Sequence, residues 1–214
     1  VDISWEALHQ LQSTMRSHLP EVDLHPQHGD YFDMIRKIAD RKQSRKVILF
    51  LGSNLGNFSH SRRSSFLRQL RDAMSDDDLL FLGLDLKKDP GVIRRAYDDP
   101  HGFTRDFNLN LLKRFNRELG ADFDPDRFIH VPTYHPQSGA ADSYLVSTME
   151  QSVRFSEAEE TIRFGKWEAV HTEMSQKFDR EMIREMAGEN GFGILDSFTD
   201  RRNYFLNSLW KKTL

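Results

Sequence analysis

The amino-acid sequence predicts an α/β protein built on a doubly wound parallel sheet, and three observations support this fold class. Residues 46–51 form a short apolar run typical of a buried strand, and residues 79–86 form a second one. Between them, residues 61–74 place apolar side chains at helical spacing. A strand, a helix and a strand in this order indicate parallel strands joined by a crossover helix.

The chain begins with residues 1–4, which read as the end of a strand. A helical pattern follows at residues 5–19, and Ser4 is well placed as its N-cap. Residues 21–27 are predicted as a weak strand and residues 28–32 as a polar turn. Because a domain rarely opens on the last residues of a strand, we expect a preceding segment in the natural protein.

The middle of the chain interrupts the alternation of strands and helices. Residues 91–120 are predicted to be mainly helical, and three later segments alternate like antiparallel strands, at residues 127–134, 142–152 and 166–172. We interpret residues 89–187 as a lobe inserted over the carboxyl ends of the sheet.

The core is expected to comprise residues 1–88 and 188–214. Its last part, residues 193–198 and 204–210, is predicted as a strand pair at the sheet edge.

Composition excludes several classes of function. The chain has 214 residues, of which 30 are basic and 33 acidic, and no basic stripe indicates a nucleic-acid partner. It has no cysteine, which excludes thiol catalysis and cysteine-ligated metals, and its nine histidines show no metal-ligand spacing. No apolar run approaches the roughly 20 residues of a membrane span, and no signal peptide is present, so we expect a cytoplasmic protein without membrane contact.

A glycine turn after the first apolar run is the strongest candidate for a ligand site. It contains Gly52, Asn54 and Asn57, and open α/β sheets bind ligands beyond the carboxyl ends of their strands. The alternative is a tight turn from strand to helix with solvated asparagines.

Acidic side chains near predicted strand ends favour a nucleotide-like cofactor. Asp2 and Asp30 could accept hydrogen bonds from ribose hydroxyls or lie near an adenine, and Tyr31 could stack on that ring. The alternative is that Asp2 is only a strand-end residue and that Asp30 is a turn residue that caps its own backbone. The phosphate-binding pattern G-x-G-x-x-G is absent.

Two further clusters point to the same end of the sheet. Residues 85–90 follow a predicted strand and lead to Tyr97. In the cluster at residues 171–178, Glu173 and Ser175 would share one face of an extended backbone. The alternative is a helix cap by Ser175 with Glu173 solvated. No G-x-S-x-G motif is present.

Several motifs in order along the chain resemble those of the histidine-specific, S-adenosylmethionine-dependent methyltransferases: FLGSNLGNF, DLKKD, AYDD, FNLNLLKRFNRELGADFD, HTEMSQKF and GFGILDSFTDRRNYFLNSLW. The resemblance extends over residues 1–210, without the family's N-terminal segment and its glycine-rich cofactor loop. It implies a class I, Rossmann-like methyltransferase fold with an inserted substrate lobe. It also implies methylation of the α-amino nitrogen of histidine, up to trimethylhistidine, in ergothioneine biosynthesis.

The resemblance assigns roles to nine positions and implies neither a catalytic nucleophile nor a metal. The substrate carboxylate would contact Asn57 and Tyr97, the imidazole Glu173 and Ser175, and the amine region Gly52 and Asn54. The cofactor would contact Asp2, Asp30 and Tyr31. Asn54 stands where relatives commonly have threonine, and Tyr31 where they commonly have phenylalanine. The first of these departures bears on the extent of methylation and on the preferred amine.

Three alternatives remain open from the sequence. The chain could be a ligand-sensing domain that retains the pocket without catalysis, a methyltransferase module of a longer multifunctional chain, or an enzyme for another amino acid or amine. Glu173 and Ser175 together argue against an aliphatic substrate, because it would leave both groups unpaired.

Overall fold

The computed structural model describes residues 1–39 and 45–213. The helices in these ranges are α1 (Trp5–His18), α2 (Tyr31–Ala39), α3 (His60–Ala73), α4 (Pro90–Tyr97), α5 (Phe103–Leu119) and α6 (Arg180–Glu189). The strands are β1 (Val47–Phe50), β2 (Leu79–Asp85), β3 (Phe128–His135), β4 (Ala140–Ser147), β5 (Gln151–Phe155), β6 (Glu160–Phe164), β7 (Ala169–Gln176), β8 (Phe192–Thr199) and β9 (Phe205–Lys212). Within the same ranges, no helix combines the length and apolar character needed to cross a bilayer.

The larger sheet has the strand order β1-β2-β9-β8. Strands β1 and β2 are parallel, as the strand–helix–strand pattern predicted, whereas β9 is antiparallel to both β2 and β8. The α/β fold class is therefore confirmed, with a mixed sheet in the described residues. The predicted C-terminal strand pair is also confirmed, but β9 lies inside the sheet and β8 forms its edge.

The main hydrophobic core covers one face of this sheet. Leu80, Leu82 and Leu84 alternate along β2 and are fully buried against residues of α3 and α6. Ile183 and Met186 of α6 belong to this core, although we had assigned residues 89–187 to the lobe. We therefore propose that the lobe ends with β7 and that the core resumes immediately after it.

Strand β1 lies where the sequence predicted a strand, but the prediction that it is buried was wrong. Val47 and Leu49 are 56% and 61% exposed, whereas Ile48 and Phe50 pack against the core. Within residues 1–39 and 45–213, β1 pairs only with β2 and is covered on one face. The continuous apolar run therefore has one buried and one exposed side.

The N-terminal region follows the prediction only in part. Ser4 caps α1 as expected, and its Oγ accepts a hydrogen bond from the backbone N–H of Ala7 at 3.2 Å. The weak strand at residues 21–27 was wrong, since this segment is irregular and a parallel bridge joins Asp2 to His28. Pro26 cannot donate to a strand ladder, which disfavours the predicted strand. The predicted turn at residues 28–32 is instead where α2 begins, at Tyr31.

The inserted region contains an antiparallel sheet with the order β3-β4-β7. The segment predicted as one strand over residues 142–152 is interrupted after Ser147, and β5 pairs with β6 in a hairpin that the pattern did not predict. Aromatic side chains form the core of this region, with edge-to-face contacts among Phe123, Phe128 and Phe164.

Strand β7 joins the lobe to the carboxyl end of β2. The backbone N–H of Phe178 donates to the carbonyl of Asp85 at 2.9 Å, and Lys87 N–H donates to the carbonyl of Phe178 at 2.8 Å. The turn at Asn54–Asn57 contacts the same strand. This arrangement agrees with a lobe positioned over the carboxyl ends of β1 and β2.

Candidate active site

A cavity of about 620 Å³ lies at the carboxyl end of β2. Each of β2, α4, α5 and β7 contributes to its wall, through Asp85, Tyr97, Phe107 and Glu173 respectively. Tyr97 and Glu173, which the sequence singled out, therefore face the same space. Phe103 and Phe107 are more than 70% exposed as whole residues and give one wall an aromatic character that sequence reasoning did not predict.

The glycine turn is fixed to β2 by two close contacts. Ser53 Oγ accepts a hydrogen bond from the backbone N–H of Asp85 at 3.0 Å. A Cβ on Gly83 would stand 3.2 Å from the backbone nitrogen of Gly52, so glycine at position 83 lets the turn approach the strand. Gly52 itself has φ = 82°, a conformation that favours glycine.

The two asparagines of this turn lie on its free side. Asn54 Nδ2 is 3.9 Å from the point where a Cβ on Gly52 would stand, so the two predicted site residues are adjacent. Asn57 is exposed and follows Gly56, which is buried against β7. Gly52, Asn54 and Asn57 do not belong to the lining of the cavity, and the turn that carries them contacts β7 through Gly56.

Strand β7 carries Glu173 and Ser175 two positions apart, and only Glu173 belongs to the cavity lining. Glu173 is half-buried, whereas Ser175 is 7% exposed and contacts the cavity wall through Lys177. Within the described part of the chain, no group donates a hydrogen bond to the Glu173 carboxylate. The alternative of a helix cap by Ser175 is wrong, because Asp179 caps α6 by accepting from Met182 N–H at 2.9 Å.

Lys177 continues this alternation and is a site residue that the sequence analysis missed. It is 4% exposed and donates to Tyr97 Oη at 2.7 Å, to Ser175 Oγ at 2.9 Å and to Asp85 Oδ2 at 2.9 Å. Burial lowers the pKa of Lys177, but the hydrogen bonds to Tyr97 and Asp85 outweigh burial and raise it overall. The ammonium group therefore stays charged at neutral pH. The available signal was the period of two from Glu173 to Lys177.

Asp85 is shared by two lysines. Its second carboxylate oxygen accepts from Lys88 Nζ, and Lys88 also donates to the carbonyl of Tyr204 at 3.1 Å. Two ammonium groups against one carboxylate leave one positive charge at this end of the cavity. Glu173 supplies a negative charge further along the wall, so the cavity is polarised along β7.

Helix α4 positions Tyr97 through a well-defined N-terminus. Asp89 accepts hydrogen bonds from the backbone N–H groups of Gly91 and Val92, and Pro90 occupies the first turn. Tyr97 is the last residue of this short helix, and its hydroxyl is held by Lys177. A cap at one end and an ammonium contact at the other fix the ring against the cavity.

The predicted cofactor residues lie together at the start of the chain. Asp2 Oδ1 accepts from Ser4 N–H and Asp30 Oδ1 from Phe32 N–H, both at 2.8 Å, so the backbone capping expected as the alternative for Asp30 is present, and Asp2 caps its backbone as well. For each, the other carboxylate oxygen has no partner within the described residues, and the bridge at His28 brings the two segments side by side. Tyr31 packs edge-on against Phe50 at 5.2 Å. Free carboxylate oxygens suit ribose hydroxyls and an adenine amine, so these residues fit the cofactor that the resemblance implies.

Comparison with known proteins gives one family and several relatives. A family model described as histidine-specific, SAM-dependent methyltransferase matches residues 1–212. The histidine N-alpha-methyltransferase of Mycolicibacterium smegmatis is 34% identical over 208 residues, which cover 97% of this chain and 64% of the relative. Ergothioneine biosynthesis protein 1 of Neurospora crassa is 28% identical over 219 residues, which cover 100% of this chain and 24% of the relative. The chain thus spans less than two thirds of the length of these curated relatives.

A solved structure supports the fold alone. The CcbJ methyltransferase from Streptomyces caelestis matches with a TM-score of 0.51 at 11% sequence identity. The match covers 99% of this chain and 72% of that chain. The likeness agrees with the class I methyltransferase fold that the resemblance implied.

Proposed function

We propose that the protein methylates the α-amino nitrogen of histidine, because the chain belongs to the histidine-specific, S-adenosylmethionine-dependent methyltransferase family. The product would be methylated up to trimethylhistidine, the step that the resemblance places in ergothioneine biosynthesis.

The unpartnered carboxylate of Glu173 is the observation that carries this proposal. A half-buried carboxylate that faces a cavity needs a donor, and the ring N–H of an imidazole supplies one. An aliphatic side chain would leave the carboxylate desolvated without a partner. The cavity therefore favours an amino acid whose side chain carries an N–H donor.

The charges on the cavity wall also suit an amino acid with a carboxylate at one end and an N–H donor at the other. Lys177, Tyr97 and Lys88 form the positive end, where a substrate carboxylate would be stabilised. Glu173 precedes Lys177 by four residues, which corresponds to roughly 13 Å of extended backbone, and the two side chains reach into the same cavity between these points. Histidine fits this order of charges. We propose Tyr97 and Asn57 as the carboxylate contacts, and Gly52 and Asn54 as the lining around the amine.

The proposed reaction depends on how the protein positions its two reactants rather than on a catalytic side chain. Asp2, Asp30 and Tyr31 would hold S-adenosylmethionine, which would supply a sulfonium-bound methyl group. The chain holds histidine at both ends, so that the amine is fixed relative to the cofactor site. Orientation of two reactants can supply roughly 7–11 kcal/mol of the barrier. The α-amino group of free histidine is mostly protonated at cellular pH, and desolvation in the cavity increases the neutral fraction that can accept a methyl group.

Domain organisation and location form part of the proposal. The core would comprise residues 1–88 and 177–214, and the substrate lobe residues 89–176. Both proposed reactants are intracellular metabolites, which supports a cytoplasmic enzyme. The protein would act on a small molecule and have no nucleic-acid or membrane partner.

Calorimetric titration of the protein at its natural length tests the proposal. Histidine, glutamine and phenylalanine are titrated with and without saturating S-adenosylhomocysteine. We expect S-adenosylhomocysteine to bind, and histidine to bind more tightly than either of the other amino acids. A mass-spectrometric turnover assay then counts the methyl groups transferred.

Other outcomes select the alternatives. Binding of S-adenosylhomocysteine without preference for histidine would keep a methyltransferase and reject this substrate, leaving another amino acid or amine. Histidine binding without binding of S-adenosylhomocysteine would indicate a ligand-sensing domain. Binding of neither compound would contradict the proposal altogether.

A further inference from the structure

Lys177 is the most deeply buried charged group on the cavity wall, and the proposed substrate contacts do not use it. Its ammonium group has three N–H donors and no acceptor. All three are used by groups of the protein, at Asp85, Tyr97 and Ser175. Lys177 is therefore saturated and has no donor left for a ligand.

The two hydroxyl contacts can have only one polarity. Because an ammonium group cannot accept a hydrogen bond, the Tyr97 and Ser175 oxygens must both act as acceptors toward Lys177. Each hydroxyl keeps its own O–H hydrogen. Within residues 1–39 and 45–213, neither hydrogen is donated to a protein acceptor, so both are available to a ligand.

We propose that Lys177 is a positioning residue that fixes Tyr97 and Ser175 as hydrogen-bond donors to the substrate. This inference rests on the proposed function, in which Tyr97 contacts the carboxylate of histidine and Ser175 its ring. Tyr97 then donates to the carboxylate, and Ser175 donates to the unprotonated ring nitrogen. Glu173 accepts from the other ring nitrogen. The three groups together select a neutral imidazole with one N–H and one acceptor nitrogen.

The two pyrrolylalanine isomers isolate the contribution of Ser175. Each keeps the amino acid backbone and one ring N–H, but a C–H replaces the acceptor nitrogen. The ratio of their dissociation constants to that of histidine therefore reports the donor role of Ser175. Changes at the carboxylate affect all three ligands alike and cancel in this ratio.

Calorimetry on the protein at its natural length, saturated with S-adenosylhomocysteine, tests the proposal. We expect Lys177→Met to weaken histidine binding and to lower the preference for histidine over the better pyrrole isomer by about fivefold, the size of one neutral hydrogen bond. Ser175→Ala should lower the preference equally, and Lys177→Met should add nothing to it in the double variant. Lys87→Met is the matched control, because Lys87 pairs with Asp179 outside the cavity lining and should leave the preference unchanged.

The outcomes separate this inference from the proposed function. An unchanged preference in a folded Lys177→Met variant that still binds S-adenosylhomocysteine would overturn the positioning role alone. Lys177→Gln decides the question where Lys177→Met fails to fold. Its amide can donate or accept, so the preference should again fall, and an unchanged preference would overturn the role. A wild-type protein that binds no histidine would overturn both.

Discussion

At the scale of single residues, Glu173 carries most of the proposed selectivity. Its carboxylate faces the cavity from β7, directly across the strand pair from the buried Ser143. A carboxylate in this position is favourable only when a donor satisfies it, and it disfavours ligands that cannot. Selectivity therefore depends on the cost of leaving Glu173 unpaired as much as on the hydrogen bond itself.

Replacing Glu173 by alanine should weaken histidine binding several-fold or more and leave the affinity for S-adenosylhomocysteine unchanged. The physical reason is the loss of the acceptor for the ring N–H. Both affinities are measured by calorimetry. Glu160→Ala, an exposed glutamate on β6, is the matched control. Equal weakening of both ligands by Glu173→Ala would contradict the assignment.

Residue patterns predicted part of this site. The alternation along residues 171–178 predicted that Glu173 and Ser175 share one face, and in the structure Glu173 lines the cavity while Ser175 contacts its wall through Lys177. The same alternation includes Lys177, but burial of a lysine depends on its partners. Its partners Asp85 and Tyr97 lie 92 and 80 positions earlier in the sequence, so the local pattern did not indicate them.

At the scale of elements, the contact between the glycine turn and β7 sets the width of the site. A Cβ on Gly56 would stand 2.8 Å from the carbonyl oxygen of Gln176 and 3.3 Å from its nitrogen. Both atoms belong to the backbone of β7, so a side chain at position 56 must push the turn and the strand apart. Asn57 and Ser175 lie next to these contact points on either side.

The substitution Gly56→Ala should therefore lower kcat/KM for histidine at least tenfold, since a displacement of about 1 Å can cost roughly 100-fold. Steady-state kinetics on the protein at its natural length measure this effect. Gly188→Ala is the matched control, because no atom lies within 4 Å of a Cβ at that position of α6. Equal kcat/KM values for the two variants would show that the turn does not set the site.

Helix α5, which carries the aromatic wall, depends on a carboxylate cap. Asp99 accepts from the backbone N–H groups of Phe103 at 2.9 Å and Thr104 at 2.8 Å. These hydrogen bonds lower the pKa of Asp99 from 3.8 to about 2. A lowered carboxyl pKa stabilises the fold above the unfolded-state value, and that stabilisation is lost as pH falls toward the folded-state value.

We expect Asp99→Ala to unfold at a lower urea concentration than the wild type at pH 7, with a difference that shrinks as the pH falls from about 4 toward about 2. Urea titrations at several pH values measure the difference. Asp98→Ala provides a neighbouring control, because no group donates to the Asp98 side chain within the described residues. A difference that stays constant down to the lowest pH would rule out the charged cap.

Helices and strands were predicted correctly where apolar residues recur at a regular spacing within the element itself. Helix α3 and strand β2 lie within one or two residues of their predicted bounds. The strand predicted at residues 21–27 does not form, because an alternating pattern needs a neighbouring strand to pair with. Pro26 also lacks the backbone N–H that would donate to such a strand. The hairpin of β5 and β6 was not predicted, because residues 142–152 looked like one continuous strand. In the structure β4 ends at Ser147, and β5 begins after three intervening residues.

At the scale of the whole molecule, the cavity depends on the position of the lobe over the core. Asp85 comes from the main sheet, Tyr97 from α4, and Glu173 and Lys177 from the strand that returns to the core. The sequence predicted the inserted lobe because its antiparallel patterns interrupt the βαβ order. The sequence pattern does not indicate where the lobe ends, since Ile183 and Met186 would be apolar in either part, and their contacts with the core support our proposal that the lobe ends with β7.

A ligand that contacts both parts of the fold should stabilise them together. Histidine at about 100 times its dissociation constant stabilises the native state by about 2.7 kcal/mol. For a protein of about this size, that free energy raises Tm by roughly 5–10 °C. Scanning calorimetry at the natural length, with saturating S-adenosylhomocysteine, measures the shift. Thermal unfolding followed by the fluorescence of two single-tryptophan variants, one that retains Trp210 in the core and one that retains Trp167 in the lobe, should show equal shifts, because Asp85 and Glu173 belong to the same cavity. Glu173→Ala at the same histidine concentration should show a smaller shift. A histidine-dependent shift confined to one of the two signals would mean that the ligand does not bind between core and lobe.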